Sequence, residues 1–209
     1  FFPEAYFWRA PNDNDFGTNF QNYARVWSGA HSNMRLVSCV ASARTKEGLP
    51  VRVKFRIPDV RGDYTLDYLI QNDGAVRINA ALQLPADSEA PELPRMGMRF
   101  ALPATFNQVE WYGRGPWENY DDRKNASLIG RYTDHSDNGW TRTYIRPQES
   151  GYKTDTRWIR LTDHTGFGVE VTGLQPICFS AMPQLSEDFD EGTIKKNRHT
   201  SDIVQRRFV

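Results

Sequence analysis

The chain has 209 residues, enough for one large domain or two small ones, and its 26 basic residues balance its 26 acidic ones. A core of that length buries roughly 70% of the surface of the unfolded chain, so neither a metal nor a disulfide is needed for stability. Balanced charge argues against nucleic acid or a membrane surface as a partner, and no stretch approaches the roughly 18 apolar residues of a membrane span.

The N-terminal stretch FFPEAYFWRAP has no initiating Met, no basic region and no cleavage site. We therefore expect it not to be a signal peptide, and we expect the chain to be a piece of a longer protein. Cys39 and Cys178 lie far apart within apolar alternations, which favours two buried free thiols over one long-range disulfide. Neither arrangement identifies the redox compartment.

Alternation of apolar and polar residues dominates the chain and predicts half-buried antiparallel strands. Turn residues separate these stretches, and Asn72-Asp73-Gly74 is a strong hairpin signal. The predicted strands are 51–57, 64–70, 76–84, 96–102, 109–111, 128–133, 157–162, 167–172 and 177–182. Helical periodicity is confined to Asn22–Ser28 and Ser186–Glu191. The pattern predicts an all-β antiparallel sandwich that forms a single domain over residues 1–209.

Three polar stretches depart from this rhythm: FWRAPNDNDFG at 7–17, YGRGPWENYDDRKNA at 112–126 and YIRPQESGYKTD at 144–155. Long ordered loops on a β scaffold are common places for function. In the first stretch Pro11 restricts the backbone, residues 12–15 can form Asx-turns, and Gly17 can take a positive φ. We expect a rigid, non-repetitive turn that presents carboxylates and amides, or that only turns a corner.

Acids are frequent in these loops, and a glycosidase needs two carboxyl groups about 5–5.5 Å apart for retention. Basic neighbours stand close to nearly every acid, which favours ion pairs that brace the loops over a catalytic pair. The acids are Asp13, Asp15, Glu110, Glu118, Asp121, Asp122 and Glu149. The spacing of a calcium loop is not met at 13–17, and the four histidines lack the spacing of metal ligands. We expect no catalytic residue and no metal site in this chain.

Four motifs occur in order along nearly the whole chain: FWRAPNDNDFG, EWYGRGPWENYDDRKNASLIGRY, YIRPQESGYKTDTRWIRLTD and Phe179-Ser180-Ala181-Met182-Pro183. Together they closely resemble the C-terminal small-chain domain, domain 5, of bacterial β-galactosidases of glycoside hydrolase family 2. The resemblance implies a β-supersandwich of the galactose-mutarotase-like kind at the end of a multidomain enzyme. The family's domain continues to a glycine-rich motif with a sugar-stacking Trp, and this chain stops before it.

The resemblance also implies where the chemistry lies. The family's catalytic glutamates and its Mg and Na ligands belong to an upstream barrel, so this chain is expected to hold no cofactor. Its last domain closes the mouth of the active site, which makes Arg9, Asp13, Asn14, Asp15 and Gly17 candidates for the pocket wall. Structural roles in the polar loops are expected for a second set: Arg114, Glu118, Asn119, Tyr120, Arg123 and Glu149.

The leading function is thus a non-catalytic accessory domain of a retaining β-galactosidase, inactive by itself. Its expected partners are the upstream domains, the carbohydrate substrate and, in the parent enzyme, further copies of itself. One alternative is a stand-alone carbohydrate-binding module that uses Trp117, Tyr120, Trp140 or Trp158 for stacking. A weaker alternative is an aldose-1-epimerase-like enzyme, for which His135 or His164 with Glu149 is the available acid–base pairing.

Overall fold

The computed structural model describes residues 3–206. Within them lie ten β-strands: β1 (Glu4–Tyr6), β2 (Arg35–Ala41), β3 (Gly48–Ile57), β4 (Gly62–Gln71), β5 (Val76–Gln83), β6 (Gly97–Arg99), β7 (Gln108–Gly115), β8 (Leu128–His135), β9 (Lys153–Thr162) and β10 (Gly168–Phe179). The helices are short: α1 (Asp13–Thr18), α2 (Phe20–Tyr23), α3 (Val26–Ala30) and α4 (Ser186–Phe189). Four 3₁₀ turns cover Pro58–Val60, Lys124–Ala126, Ser136–Asn138 and Thr200–Asp202.

The strands form two four-stranded antiparallel sheets, in the orders β2-β3-β4-β5 and β10-β9-β7-β8, and β1 pairs with β6. The prediction of an all-β antiparallel fold of the sandwich class is therefore confirmed. The finer likeness to a galactose-mutarotase supersandwich stays a prediction. The chain end at Phe208-Val209, beyond which the resemblance places a glycine-rich motif, lies outside the described residues.

Contacts divide the chain into two compact units. Unit 1 contains Arg9–Gln21 and the chain from Arg99 onward, whereas unit 2 contains Glu4–Trp8 and Asn22–Met98. Unit 1 therefore holds the sheet β10-β9-β7-β8, and unit 2 holds the sheet β2-β3-β4-β5. The grouping of all residues into one domain stays a prediction.

The core of unit 1 forms on one face of its sheet. Trp111 of β7 is fully buried there, and Val109, Ile159, Leu161 and Ala181 surround it. Because β7 pairs with β9 so that Trp111 faces Ile159 and Val109 faces Leu161, one alternating pattern on each strand fills the same core. The predicted strand at 109–111 and the burial of Trp111 are confirmed.

The core of unit 2 is built around aromatic rings. Phe7 packs edge-on against both Trp27 and Tyr64, with ring centroids 5.9 and 5.4 Å apart, and all three side chains are fully buried. Leu66 and Tyr68 follow Tyr64 on the buried face of β4. The alternation read at 64–70 therefore gave the correct face of this strand.

Several predicted boundaries are wrong for identifiable reasons. The stretches 167–172 and 177–182 belong largely to one strand, β10, whose pairing shifts between Thr172 and Ile177. A β-bulge of this kind breaks the alternation, so one strand looks like two. Strand β2, which contains Cys39, is not among the predicted strands, and its residues are mostly exposed on both faces.

The opening polar segment contains the helix α1 (Asp13–Thr18), where a non-repetitive turn was expected. Asn12 is the N-cap of α1: its side chain accepts a hydrogen bond from the Asp15 amide, while the Asp15 carboxylate accepts one from the Asn12 amide. This reciprocal capping starts a helix where isolated Asx-turns were expected. Gly17 lies inside the helix, and Asn19 instead takes the positive φ of 63° at its end.

Both cysteines are free, as predicted, but both are exposed rather than buried. Cys39 lies on β2 and Cys178 on β10, each at an end of its sheet order. An edge strand has only one neighbouring strand, so an apolar residue on it is covered less than the local sequence pattern implies.

Candidate functional site

The opening polar segment is organised by Arg9 and Asp15. The guanidinium of Arg9 contacts both carboxylate oxygens of Asp15, with Nη2 2.8 Å from Oδ1, and Asp15 is only 7% exposed. Asp15 also caps the Asn12 amide at 2.8 Å. A bidentate pair that also caps a helix holds its partners in one geometry. Asp15 therefore has a structural role: its buried carboxylate stabilises the opening segment, whether or not that segment borders a pocket.

Asp13 and Asn14 are the exposed polar residues of the same helix. Asp13 Oδ1 accepts a hydrogen bond from Lys195 Nζ at 2.7 Å, and Arg146 Nε lies 3.6 Å from the same oxygen. The Asn14 carbonyl accepts from the Thr18 hydroxyl at 3.2 Å. Of the five candidate wall residues, Asp13, Asn14 and Gly17 thus face solvent.

Glu118 is the centre of a hydrogen-bond network in the polar loops. Its carboxylate accepts from Arg123 Nη2 at 2.6 Å, from the Gly151 amide at 2.8 Å and from the Tyr144 hydroxyl. Burial raises the pKa of Glu118, but the hydrogen bonds that it accepts outweigh burial and hold the pKa below its ordinary value. The network joins the 112–126 loop to the 144–155 loop.

Asn119 makes the second connection between these two loops. It is 1% exposed, and its Oδ1 accepts from both the amide and the hydroxyl of Thr154, at 3.0 and 2.6 Å. Its Nδ2 donates to the Trp117 carbonyl at 3.0 Å. Since buried amides need their hydrogen bonds, this side chain fixes the path of both loops.

Tyr120 follows directly and stacks on Tyr152, with ring centroids 5.4 Å apart. The Arg123 guanidinium lies 4.9 Å from the centre of the Tyr120 ring. Burial, with the nearby charges of Glu149 and Glu118, raises the pKa of Tyr120. The phenol therefore stays neutral, and its ring already contacts both Tyr152 and Arg123.

Arg114 braces the start of the same loop. Its Nε donates to Asp155 Oδ2 at 2.6 Å, and its Nη1 donates to the carbonyls of Lys124 and Ser127 at 3.1 and 2.8 Å. The hydrogen bond from Arg114 holds the pKa of Asp155 below its ordinary value. Glu149 is buried in the neighbouring loop, at 8% exposure.

Five of the loop acids form ion pairs: Asp13, Asp15, Glu110, Glu118 and Asp121. A hydrogen bond from Arg131 likewise lowers the pKa of Glu110, and Asp121 accepts from Lys124 at 2.9 Å. A glycosidase acid needs a raised pKa so that it still holds its proton at neutral pH. Glu110 and Glu118 are shifted in the opposite direction, so their environments suit bracing rather than proton donation.

The residues of the two alternative functions are differently placed. His164 is exposed in the turn between β9 and β10, whereas His135 caps the turn at 136–138. Among the stacking candidates, Trp140 packs against Phe189, and Trp158 is covered by the guanidinium of Arg160, 4.7 Å from its ring centre. Trp117 is instead 71% exposed.

Sequence reasoning missed a charged group around Asp13. Glu191 is fully buried, neither of its carboxylate oxygens has a hydrogen-bond partner among the described residues, and Arg146 Nη1 lies 3.8 Å from Oε2. Gln21, also buried, donates to the Thr193 carbonyl at 3.3 Å. The sequence signal was the run of acids and lysines in SEDFDEGTIKK, but its distance from Asp13 along the chain concealed the contact.

Lys153 was also missed. Its ammonium lies inside unit 1, 5.0 Å from the centre of the Trp111 ring and 5.7 Å from that of Phe179. Burial lowers the pKa of Lys153, and the charges of Asp134 and Glu118 only partly oppose this. The folded protein therefore binds this proton less tightly than the unfolded chain does.

We expect Lys153→Met to raise the free energy of unfolding by about 1 kcal/mol at pH 7, because burying this charge costs more than its contacts return. The folded pKa lies below the ordinary 10.5, so the wild type gains stability as pH rises from the folded value towards 10.5. The difference in free energy of unfolding between Lys153→Met and the wild type, measured by urea unfolding, should therefore shrink over that pH range.

Lys54→Met is the control, because Lys54 is an exposed lysine of β3, and its free energy of unfolding should change little. A lower free energy of unfolding for Lys153→Met than for the wild type would contradict the expectation.

Residues 3–206 contain neither a cluster of metal-binding side chains nor a membrane-spanning helix. No three His, Cys, Asp or Glu side chains there are grouped so that they could hold a metal ion. No helix in this range has the length and apolar character to cross a bilayer.

The fold and these loops define an all-β polypeptide whose polar loops are held together by ion pairs. The sequence profile described as "Beta galactosidase small chain" matches residues 2–209. The chain belongs to this β-galactosidase small-chain family, as its motifs implied.

Curated relatives agree with this assignment. A β-galactosidase of Priestia megaterium is 33% identical over 178 residues, which cover 85% of this chain and 17% of the relative. Similar proteins from Halalkalibacterium halodurans and Bifidobacterium adolescentis are each 29% identical, cover 91% and 94% of this chain, and are matched over 19% of their own length. The chain thus spans less than a fifth of each of these relatives.

Proposed function

We propose that this chain is the non-catalytic small-chain domain of a retaining β-galactosidase that hydrolyses terminal β-D-galactosides. Its role is to wall the mouth of the active site and to support assembly with the upstream domains. The engagement of the loop carboxylates, above all Glu118, is the observation that carries the non-catalytic part. The catalytic glutamates, and any Mg or Na ions of the enzyme, are placed by this proposal outside the chain.

The direct test is hydrolysis of a nitrophenyl β-galactoside. We expect no turnover by the 209-residue chain alone, and turnover when it is combined with the upstream portion of the enzyme. Matched samples that contain only the upstream portion show how much the chain contributes. Clear turnover by the chain alone would mean that two of its own acids are catalytic, and the proposal would be wrong.

The wall role makes a separate prediction at the opening segment. In the complete enzyme, Asp13→Ala should raise KM about fivefold with little change in kcat, which corresponds to about 1 kcal/mol of uniform binding energy. Asp13 is chosen because its carboxylate is exposed, whereas Asp15→Ala would also leave Arg9 unpaired and disturb the helix start. Steady-state kinetics of Asp13→Ala and Asp15→Ala separate the loss of substrate binding from the disturbance of the helix.

Asp121→Ala is the control, because Asp121 is also an exposed acid paired with a lysine but lies in the 112–126 loop. Its kinetics should match those of the unmodified enzyme. If Asp13→Ala also left KM unchanged, the segment would be a structural turn and not part of the pocket wall.

A further inference from the structure

An open groove of about 570 Å³ lies within unit 2. Most of its lining side chains are apolar, and they come from α3, the end of β5 and the segment that follows β5: Trp27, Leu82, Leu84, Pro91, Leu93 and Met96. Met96 is 47% exposed at the rim. The volume falls within the range of binding pockets, and an apolar surface framed by polar residues is typical of interaction sites.

The wall formed by residues 85–96 is held in place. Trp27 Nε1 donates to the Pro91 carbonyl at 3.0 Å, which ties this segment to α3. Pro85, Pro91 and Pro94 restrict its backbone further. A groove whose wall is already ordered loses little conformational entropy when it is filled.

The rim of the groove is acidic. Segment 85–96 contains three acids, Asp87, Glu89 and Glu92, against one base, Arg95. Glu92 lines the groove itself, and Glu89 and Glu92 are exposed and have no ion-pair partner among residues 3–206. Asp87 pairs only with the largely exposed Arg61. An apolar floor with an acidic rim selects apolar side chains that are flanked by positive charge.

We propose that this groove binds a segment from the remaining polypeptide of the same enzyme, with apolar anchors flanked by Lys or Arg. The inference rests on the proposed function, because the matched relatives contain more than 80% of their length beyond the region that this chain covers. A contact between the parts of one enzyme needs a preformed apolar surface with charged edges, and this groove has both.

The test compares the reactivity of a cysteine at position 96 in two settings. Met96→Cys is treated with a maleimide in the 209-residue chain and in the complete enzyme, and labelling is followed by the mass of the peptide that contains residue 96. We expect labelling to be at least about tenfold slower in the complete enzyme, because the bound segment covers the rim. Asp73→Cys, at the exposed β4–β5 hairpin, should react at similar rates in both.

The charge of the occupant is tested by reversing the rim. The double substitution Glu89→Lys and Glu92→Lys should weaken the contact between the groove and its occupant. We therefore expect the difference in the labelling rate at position 96 between the free chain and the complete enzyme, both carrying these substitutions, to shrink at least about threefold. Thermal unfolding of the free chain with these substitutions checks that unit 2 still folds. An unchanged rate in the complete enzyme would overturn the choice of a basic segment.

Equal labelling of Met96→Cys in both settings would overturn the docking inference. Protection that appears in the free chain and grows with its concentration would also overturn it, since the occupant would then be a second copy. Labelling does not depend on galactoside hydrolysis, so the groove inference can be rejected while the proposed role of Asp13 in the pocket wall is kept. Turnover by the free chain would reject the proposed function even if position 96 were protected.

Discussion

Trp111→Ala should reduce the free energy of unfolding by about 3–5 kcal/mol, the range for removal of a buried aromatic side chain. Trp111 is fully buried and packs against Tyr132 and Phe179, with centroid distances of 5.4 and 5.8 Å. Its Nε1 also donates to the Arg114 carbonyl at 2.9 Å, so the substitution removes a hydrogen bond as well. Urea unfolding followed by circular dichroism measures the loss.

Trp117→Ala is the matched control, because this tryptophan is 71% exposed. Its effect should stay within about 0.5 kcal/mol, as for most surface substitutions. A loss below about 1 kcal/mol for Trp111→Ala would mean that the β7 register and the core built on it are wrong. The alanine also leaves Lys153 without its nearest ring, so part of the loss is shared between the two residues.

Glu118→Gln should destabilise the chain by about 3 kcal/mol at pH 7, the lower end of the range for breaking a buried ion pair. The lower end applies because the Glu118 side chain is 10% exposed but that of Arg123 is 49% exposed. A glutamine has only one accepting oxygen, so it cannot accept hydrogen bonds from Arg123, Tyr144 and Gly151 together. Its NH₂ group would also point donor hydrogens at a donor of these residues. Chemical denaturation of both proteins gives the difference.

The effect should depend on pH in a definite direction. The pKa of Glu118 is lowered in the folded chain from an ordinary 4.5, so the unfolded chain binds this proton more readily. The stabilisation is fully present above pH 4.5 and is lost as pH falls through the folded pKa. The difference in free energy of unfolding between the wild type and Glu118→Gln should therefore become smaller as the pH falls below 4.5.

Glu170→Gln provides the comparison for Glu118, since Glu170 and Arg160 form a pair in which both side chains are more than 40% exposed. Surface pairs of this kind contribute about 0–1 kcal/mol. Equal losses for the two variants would show that the Glu118 network does not hold the loops together.

Local sequence determined most of the strands of this protein. Alternation located β3, β4, β5, β7, β8 and β9, because a half-buried strand places every second side chain in the core whatever the rest of the fold does. Motifs such as FWRAPNDNDFG and YIRPQESGYKTD likewise indicated the family from the sequence alone. Alternation failed at β2, where neither face is buried enough to impose a pattern.

Pairings between distant residues were decided only by the tertiary structure. Sequence reasoning could name Asp13, Glu118 and the many bases around them, but not that Lys195 reaches Asp13 across 182 positions. The burial of Lys153 and the apolar groove below Met96 were equally hidden, since each is made by elements far apart in the chain. Hydrophobic periodicity records which face of a strand is covered, whereas the partner of a charge depends on how the chain returns to it.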